Sequence, residues 1–131
     1  MGTYPVTDVL TKILNAGKAK KAEVDVHYSN LSLNILQLIK EEGYIKNAKV
    51  IKEGKKSYIK VYLKYTDAGK HVISGMKFFS KPSRRVYRGY TEIPSVLSGL
   101  ATIVLSTPAG VLSDKIATRK KVGGEVMFAV W

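Results

Sequence analysis

The chain lacks cysteine and is poor in acidic residues, and both features limit what it can be. With no cysteine among 131 residues, disulfides, thiolate metal sites and cysteine nucleophiles are excluded, and a reducing compartment is favoured. Ten acidic residues stand against 22 lysines and arginines, which gives a formal net charge of +12. Such an excess of positive charge attracts polyanions, and nucleic acid is the leading candidate.

Long apolar runs are also missing from the chain. None approaches the roughly 20 residues of a membrane-spanning helix, so we expect no membrane partner. The start, Met1-Gly2-Thr3, lacks the charged, apolar and cleavable succession of a secretory signal. A hydrophobic content of 45% is ordinary for a folded chain of this length.

The first half of the chain shows helical and strand patterns in alternation. Apolar residues from Val6 to Leu14 recur at helical spacing, and Ser29 is a suitable N-cap for a second amphipathic helix. The predicted elements are a first helix ending near Gly17, a strand at 22–27, a second helix from Ser29 to Gly43, and a hairpin of strands 44–52 and 57–65.

The turn-rich segment Asp67-Ala68-Gly69-Lys70 predicts a boundary between residues 1–66 and 67–131. Beyond it the pattern becomes mostly extended, with strands predicted at 71–79, 84–87, 102–106 and 125–130, and short helices at 93–97 and from Ser113. The predicted fold class is α/β in the broad sense (α+β). It comprises an N-terminal helix–strand–helix–hairpin module and a C-terminal β-rich module with short helices.

Catalytic chemistry finds little support in these residues. The two histidines, His27 and His71, have no carboxylate or second histidine at metal-ligand spacing. Gly54-Lys55 lacks the other residues of a phosphate-binding loop, and Gly123-Gly124 lacks the spacing of a dinucleotide motif. We therefore expect no catalytic residues, no metal and no cofactor, and the chain is not expected to be an enzyme.

The distribution of charge points to the last third of the chain. The span Gly89–Asp114 contains no lysine or arginine and includes the short-side-chain loop Ser106-Thr107-Pro108-Ala109-Gly110, whereas lysines and arginines crowd residues 77–88. Ammonium and guanidinium groups supply affinity for phosphates, while small hydroxyls and backbone amides can approach bases and 2′-hydroxyls. Glu125 can only accept, which suits a base amino group or a 2′-hydroxyl.

A second aromatic and basic pattern has two interpretations. Tyr58, Lys60, Tyr62 and Lys64 alternate along one face of a predicted strand. They could stack on bases and meet phosphates, or they could form an ordinary exposed sheet face, to which aromatic residues are suited. The pattern alone favours the ordinary face.

Several motifs, in one order along the chain, carry a resemblance to a known family. They are Leu10-Thr11-Lys12-Ile13, Lys40-Glu41-Glu42-Gly43-Tyr44-Ile45, Val72-Ile73-Ser74-Gly75-Met76-Lys77, Ser80-Lys81-Pro82, Arg85-Val86-Tyr87, the loop 106–110, and Val122-Gly123-Gly124-Glu125-Val126 before Trp131. Together they resemble the universal family of the eighth small-subunit ribosomal protein, in its bacterial form. The resemblance implies two packed modules, a structural role in the small ribosomal subunit, and direct binding to the central domain of its ribosomal RNA.

The resemblance also implies which residues bind RNA. The matching positions are Lys12, Ser29, Asn30, Lys55, Lys81, Arg85, Tyr87, Ser106, Thr107, Gly110, Gly123, Gly124 and Glu125. In the loop, Pro108 stands where family members usually have serine, and Ala109 replaces a frequent basic residue. Implied partners are the ribosomal RNA, neighbouring small-subunit proteins and the messenger RNA of its own operon.

Two alternatives to a ribosomal protein remain open from sequence. A free-standing RNA chaperone needs only the positive charge, and an RNA-modifying factor would need a catalytic constellation that the sequence does not supply. The expected location is the cytoplasm, in a bacterial ribosome, or an organelle of bacterial descent.

Overall fold

The computed structural model describes residues 5–131, so the first residues, on which the expectation about a secretory signal rests, lie outside it. Within the described range the chain forms two compact units, residues 5–73 (the first unit) and Ser74–Trp131 (the second unit). The turn at 67–70 lies within the first unit. Whether residues 1–66 and 67–131 are separate domains stays a prediction.

The first unit combines two helices with a three-stranded antiparallel sheet. Its elements are α1 (Pro5–Lys18), β1 (Glu23–His27), α2 (Asn30–Glu41), β2 (Ile45–Glu53) and β3 (Lys56–Leu63). The strand order is β1-β3-β2, so β3 is central. Its alternation is that of a half-buried strand: Ile59, Val61 and Leu63 are buried, while the residues between them are partly exposed.

Both helices of the first unit bury one apolar stripe. In α1 the stripe predicted from sequence is inside, with Val6, Leu10 and Ile13 at most 1% exposed. The predicted N-cap of α2 is confirmed, because the Ser29 Oγ accepts a hydrogen bond from the Ser32 amide at 3.0 Å.

The second unit is a five-stranded antiparallel sheet with one short helix. Its elements are β4 (Met76–Phe78), β5 (Tyr87–Arg88), β6 (Thr102–Thr107), β7 (Gly110–Ser113), α3 (Asp114–Lys120) and β8 (Gly124–Val130). The order β4-β8-β6-β7, with β5 also paired to β8, makes the last strand the centre of the sheet. Its core contains Ile103, Leu105 and Ala117, with Trp131 packed against it.

Four features of local structure in this unit are predicted wrongly. The strand predicted at 84–87 overlaps the observed β5, Tyr87–Arg88, only at Tyr87. The helix predicted at 93–97 is absent, and a short 3-10 turn stands at Leu97–Gly99 instead, because Leu97 and Ser98 have positive φ and cannot continue a helix. The strand predicted at 71–79 is reduced to the three residues of β4. Its partner strand β8 ends opposite Met76, and the Ser74 and Gly75 amides before it donate to the Trp131 carbonyl instead.

The fourth error is an omission. The sequence pattern predicts no strand at residues 110–113, yet β7 spans Gly110–Ser113 and pairs with β6. A strand this short has too few residues for alternation to mark it. The hairpin that results places the loop at the tip of β6 and β7.

Candidate nucleic-acid interface

An open groove in the second unit gathers most of the residues predicted there. Its volume is about 530 Å³, and it is lined by Tyr87, Arg88, Gly89, Ser106, Thr107, Pro108, Gly123, Gly124 and Glu125. We call this set the small-residue groove. Six of the thirteen predicted RNA-binding positions line it. They come from β5, β6 and β8, which meet at the Gly124 end of β8, and from Gly123 just before that strand.

The loop beside the groove is a tight two-residue hairpin turn. Thr107 pairs with Gly110 across it, and Gly110 has φ of 112°, in the region that favours glycine. Pro108 takes the second position of the turn, where its fixed φ is suited to a type I or II turn. The proline that departs from the family pattern therefore stiffens the turn.

The Thr107 hydroxyl is engaged within this turn. Its Oγ1 donates to the Gly110 carbonyl at 2.7 Å and accepts from the Ala109 amide at 3.1 Å. The hydroxyl has one proton, so it has no second one for a ligand. Towards RNA it can therefore act only as a hydrogen-bond acceptor, whereas a free hydroxyl could also donate.

Two glycines let the backbones around the groove come close. A Cβ on Gly124 would lie 2.1 Å from the Ser106 carbonyl oxygen, and one on Gly123 would lie 2.4 Å from that of Arg88. Neither glycine has a positive φ, so glycine is required at these positions by close packing of the backbones and not by a turn conformation. The floor of the groove is therefore backbone.

The one carboxylate of the groove is fixed by a cation. Arg85 Nη1 lies 3.2 Å from Glu125 Oε2, and the Glu125 side chain is 13% exposed. Because the pair is charge-assisted, the carboxylate is oriented before any ligand arrives. Tyr87, in contrast, is 63% exposed and presents its ring to solvent.

A buried serine anchors the basic loop that leads to the groove. Ser80 is fully buried, and its Oγ donates to the Val126 carbonyl at 2.7 Å and accepts from the Val86 amide at 3.0 Å. The loop then closes into a turn in which the Lys81 and Arg84 backbones bond to each other in both directions. Both of these side chains are exposed.

Four of the predicted residues lie in the first unit. Lys12 is exposed on α1, and Lys55 is exposed in the turn between β2 and β3. Ser29 also donates to Ser32 Oγ, so its hydroxyl serves the helix cap, and Asn30 Oδ1 accepts from the Tyr28 hydroxyl at 2.9 Å. His27, the last residue of β1, pairs with Tyr58 near the start of β3. The residues that follow β1, Ser29 and Asn30, therefore lie at the same end of the sheet as Lys55, which precedes β3.

The Tyr58 and Tyr62 face of the first sheet is partly engaged by its neighbours. Lys49 Nζ lies 5.7 Å from the Tyr62 ring centre, and the Tyr58 hydroxyl donates to Glu53 Oε1 at 3.1 Å. The hydrogen bond and charge of Glu23 raise the pKa of Lys60. These contacts fit the ordinary exposed face that the sequence pattern favours.

Sequence reasoning misses two kinds of residue here. Arg88 and Gly89 line the groove but are not among the predicted positions, although Arg88 belongs to the basic run 77–88. Ser80 is missed as an anchor, because a serine in a basic loop gives no sign of burial. Its place in the Ser80-Lys81-Pro82 motif is the only available signal.

Fold and site define a class: a basic α+β protein whose polar groove is built from backbone, hydroxyls and one oriented carboxylate. Among residues 5–131, no group of three or more histidine, aspartate or glutamate side chains could hold a metal ion. Within the same range, no helix is long and apolar enough to cross a membrane.

Comparison with known proteins gives the family. The family model described as "Ribosomal protein S8" matches residues 4–131, and the chain belongs to that family. It is 47% identical to the small ribosomal subunit protein uS8 of Geobacter metallireducens over 129 residues, 98% of each chain. It is 46% identical over all 131 residues to the uS8 of Thermodesulfovibrio yellowstonii, and 44% identical to that of Streptococcus sanguinis over 98% of each chain.

Membership confirms the coarse predictions. The family is structural and not enzymatic, so the chain is a structural ribosomal protein of the small subunit and the expectation of no enzymatic activity is correct. The relatives named here are bacterial, which confirms the bacterial-type resemblance and the expected ribosomal location.

Proposed function

We propose that the chain binds the central domain of the small-subunit ribosomal RNA directly, and that the small-residue groove reads that RNA. The observation that carries the proposal is the convergence of Tyr87, Ser106, Thr107, Gly124 and Glu125 on one groove. They come from positions as far apart as 87 and 125 in the chain, and only the pairing of β5, β6 and β8 joins them.

The chemistry of the groove suits an irregular RNA helix. RNA presents 2′-hydroxyls and base edges in a shallow minor groove, or unstacked bases in loops and bulges. A floor of glycine backbone admits such groups closely, and the exposed Tyr87 ring offers a surface for stacking or for a ribose. Glu125 accepts from an amino group or a 2′-hydroxyl, which discriminates between ligands because it cannot donate.

Positive charge beside the groove supplies affinity. Arg88 lines the groove, and Lys81 and Arg84 stand in the turn that Ser80 anchors nearby in the chain. Contacts of such groups with phosphate position a protein without reading sequence. Arg85 has a different task from these three cations, since it orients Glu125.

The first unit adds a second area of contact in this proposal. Lys12, Ser29, Asn30 and Lys55 would meet a neighbouring RNA segment. Lys12 and Lys55 are exposed and suited to phosphate, while the Asn30 side chain is exposed at the start of α2. Because the Ser29 hydroxyl is taken up by its cap, the contact of Ser29 would come from its backbone or its remaining lone pair.

The proposed role includes assembly and feedback. By holding its RNA segment, the protein helps the central domain to fold beside neighbouring small-subunit proteins. If the messenger RNA of its operon imitates the ribosomal site, the same groove would bind it and repress synthesis. Overexpression that leaves synthesis from that operon unchanged would rule the feedback out.

The test separates recognition from charge. Replacing Thr107 by alanine removes the two hydrogen bonds of its side chain in the turn, and we expect a loss of about 1–3 kcal/mol in binding to a central-domain fragment, roughly 5- to 150-fold. Thr107→Ser keeps the hydroxyl and is the matched control. Lys81→Ala should instead weaken all RNAs alike and lower the salt slope by about one unit or less.

The measurement is a set of binding titrations at several salt concentrations, against the ribosomal fragment and a scrambled duplex. Recognition by the groove requires that Thr107→Ala weaken the fragment far more than the duplex. An equal loss on both RNAs would show that the turn is not part of the reader.

A further inference from the structure

A second, smaller pocket lies on the three-stranded sheet of the first unit. It is open to solvent, its volume is about 310 Å³, and it is lined by Lys46, Asn47, Lys49 and Tyr62. Asn47 and Tyr62 are directly paired across β2 and β3, so their side chains share one face of the sheet with Lys49, two residues further along β2. We call it the lysine–tyrosine pocket. None of its four residues is among the thirteen predicted RNA-binding positions.

A β-bulge gives the pocket its second lysine. The pairing of β2 with β3 shifts between Ile45 and Asn47, so Lys46 is skipped in the register. In a regular strand, neighbouring residues point to opposite faces, and Lys46 would point away from Asn47. Bulges re-aim side chains, and here Lys46 and Asn47 line the same pocket. Two ammonium groups therefore border one small space.

The surroundings of Tyr62 differ from those of its neighbours along β3. The Tyr58 hydroxyl donates to Glu53, and Lys60 Nζ lies 3.4 Å from Glu23 Oε1, so both have a carboxylate partner. Glu23 is also opposite Tyr62 in the register of β1 and β3, but its charge is offset by Lys60. Among the described residues that line the pocket there is no carboxylate. An ordinary exposed face therefore accounts for Tyr58 and Lys60, whereas Tyr62 borders a pocket whose lining is positively charged.

The lining offers hydrogen-bond donors and one flat aromatic surface. The Asn47 Oδ1 accepts from the Ala48 amide at 2.9 Å, so the group that this side chain presents to a ligand is its amino donor. The two ammonium groups also only donate, which favours an anionic ligand such as a phosphate. Lys49 Nζ lies 5.7 Å from the centre of the half-buried Tyr62 ring. Its flexible stem lets it move from the ring to a phosphate when a planar base takes its place.

We propose that the lysine–tyrosine pocket binds one nucleotide of an unpaired RNA strand. Its base stacks on Tyr62 and accepts from the Asn47 amino group, while Lys46 and Lys49 hold the flanking phosphates. An aromatic ring beside cations is a common means of binding single-stranded nucleic acid, and it tolerates any sequence because every base has a flat face. This site goes beyond the small-residue groove, which lies in the other unit and is proposed to read folded RNA.

The position of the pocket favours a strand over a free nucleotide. The strand order β1-β3-β2 makes β2 an edge of the sheet, and the pocket is open, so a longer chain can continue past the bound nucleotide. Lys64, exposed two residues beyond Tyr62, adds a cation for a further phosphate. A free nucleotide would gain nothing from either feature.

The first experiment titrates the full chain with a fluorescent, unstructured oligouridylate of about eight residues and follows its anisotropy. Replacing Tyr62 by valine removes the ring and keeps a residue suited to a strand, and we expect binding to weaken roughly 5- to 150-fold. Tyr62→Phe keeps the ring and should bind as the unaltered chain does. Tyr58→Val, on the same face but outside the pocket, is the matched control. Equal binding by Tyr62→Val and Tyr58→Val, or no measurable binding by the unaltered chain, would overturn the proposal.

The second experiment tests the two lysines with net charge matched. The double variants Lys46→Gln with Lys49→Gln, and Lys52→Gln with Lys56→Gln, each remove two exposed cations from the same hairpin. We expect the first double variant to lower affinity for the oligouridylate about tenfold more than the second. Equal losses would show that only net charge attracts the strand, and the proposal would fail. Because these side chains are exposed, this test holds even if Tyr62→Val does not fold.

Two further measurements identify the ligand and its place. Uridine monophosphate should bind far more weakly than the oligouridylate, and equal affinity would contradict the assignment to a strand. Backbone amide resonances of Asn47 and Tyr62 should shift when oligouridylate is added, and shifts confined to the small-residue groove would exclude the pocket.

The groove variant keeps the two proposals apart. Thr107→Ala should leave oligouridylate binding unchanged, and Tyr62→Val should leave binding of the central-domain fragment unchanged. If the unaltered chain fails to bind that fragment, the groove proposal fails, while the oligouridylate titration still decides the pocket.

Discussion

Replacing the buried Ser80 by alanine should both destabilise the second unit and loosen the groove. The hydroxyl bridges two backbone groups 40 residues apart in sequence, donating to the Val126 carbonyl and accepting from the Val86 amide. Alanine has almost the same volume, so the change removes two hydrogen bonds and leaves little cavity. The Val86 amide would then have lost its partner in a partly buried place.

The magnitude follows from those two bonds. Leaving a buried polar group unsatisfied costs about 1–3 kcal/mol, whereas an ordinary exposed hydroxyl contributes almost nothing. For a chain of this size that free energy corresponds to a fall of roughly 3–10 °C in melting temperature. Since Val86 lies between Arg85 and Tyr87, affinity for the RNA fragment should fall as well.

Ser83→Ala is the matched control, because Ser83 is exposed in the same loop. Thermal unfolding followed by circular dichroism measures the stability, and amide hydrogen exchange reports on the Val86 amide directly. If Ser80→Ala has the same melting temperature as the unaltered chain and as Ser83→Ala, and the Val86 amide stays protected from exchange, the anchoring role assigned to Ser80 is wrong.

The sequence predicts most of the first unit because its signals are local. Helical spacing finds the buried stripe of α1, and the Ser29 cap and the glycine turn at 54 mark the starts and ends of their neighbours. Alternation in β3 separates its buried from its partly exposed face. In each case the residues that define the element are neighbours in the chain.

Prediction fails where long-range pairing decides the structure. The strand expected at 71–79 is cut short by the end of β8, more than 50 residues away, and nothing near Met76 indicates this. The segment before the turn at Leu97–Gly99 is predicted as a short helix from its possible N-cap at Thr91, yet Leu97 and Ser98 adopt left-handed conformations between Val96 and Ala101, which both pack in the core.

The candidate site was predictable in its residue types and not in its geometry. The resemblance selects Gly124 and Glu125. Only the fold shows that a Cβ at position 124 would clash with the Ser106 carbonyl, and that Arg85 orients the Glu125 carboxylate. Likewise, the Thr107 hydroxyl looks free in sequence and is engaged in its own turn.

Two further substitutions test the packing and the pH response of the fold. Gly124→Ala would bring its Cβ to 2.1 Å from the Ser106 carbonyl, so we expect about 1–3 kcal/mol less stability in thermal unfolding and a matching loss of RNA binding; an alanine variant that melts and binds normally would contradict the close packing. Burial lowers the pKa of His71, whose buried Nε2 has no hydrogen-bond partner among residues 5–131, so the unfolded chain takes up a proton on this residue more readily than the folded one. Stability should therefore fall as the pH drops below the ordinary histidine pKa of about 6.5, and His71→Phe should flatten this dependence, with the same substitution at the exposed His27 as the control. Unfolding curves between about pH 5 and pH 8 measure the slope. A slope that His71→Phe leaves unchanged would show that the buried imidazole is not its source.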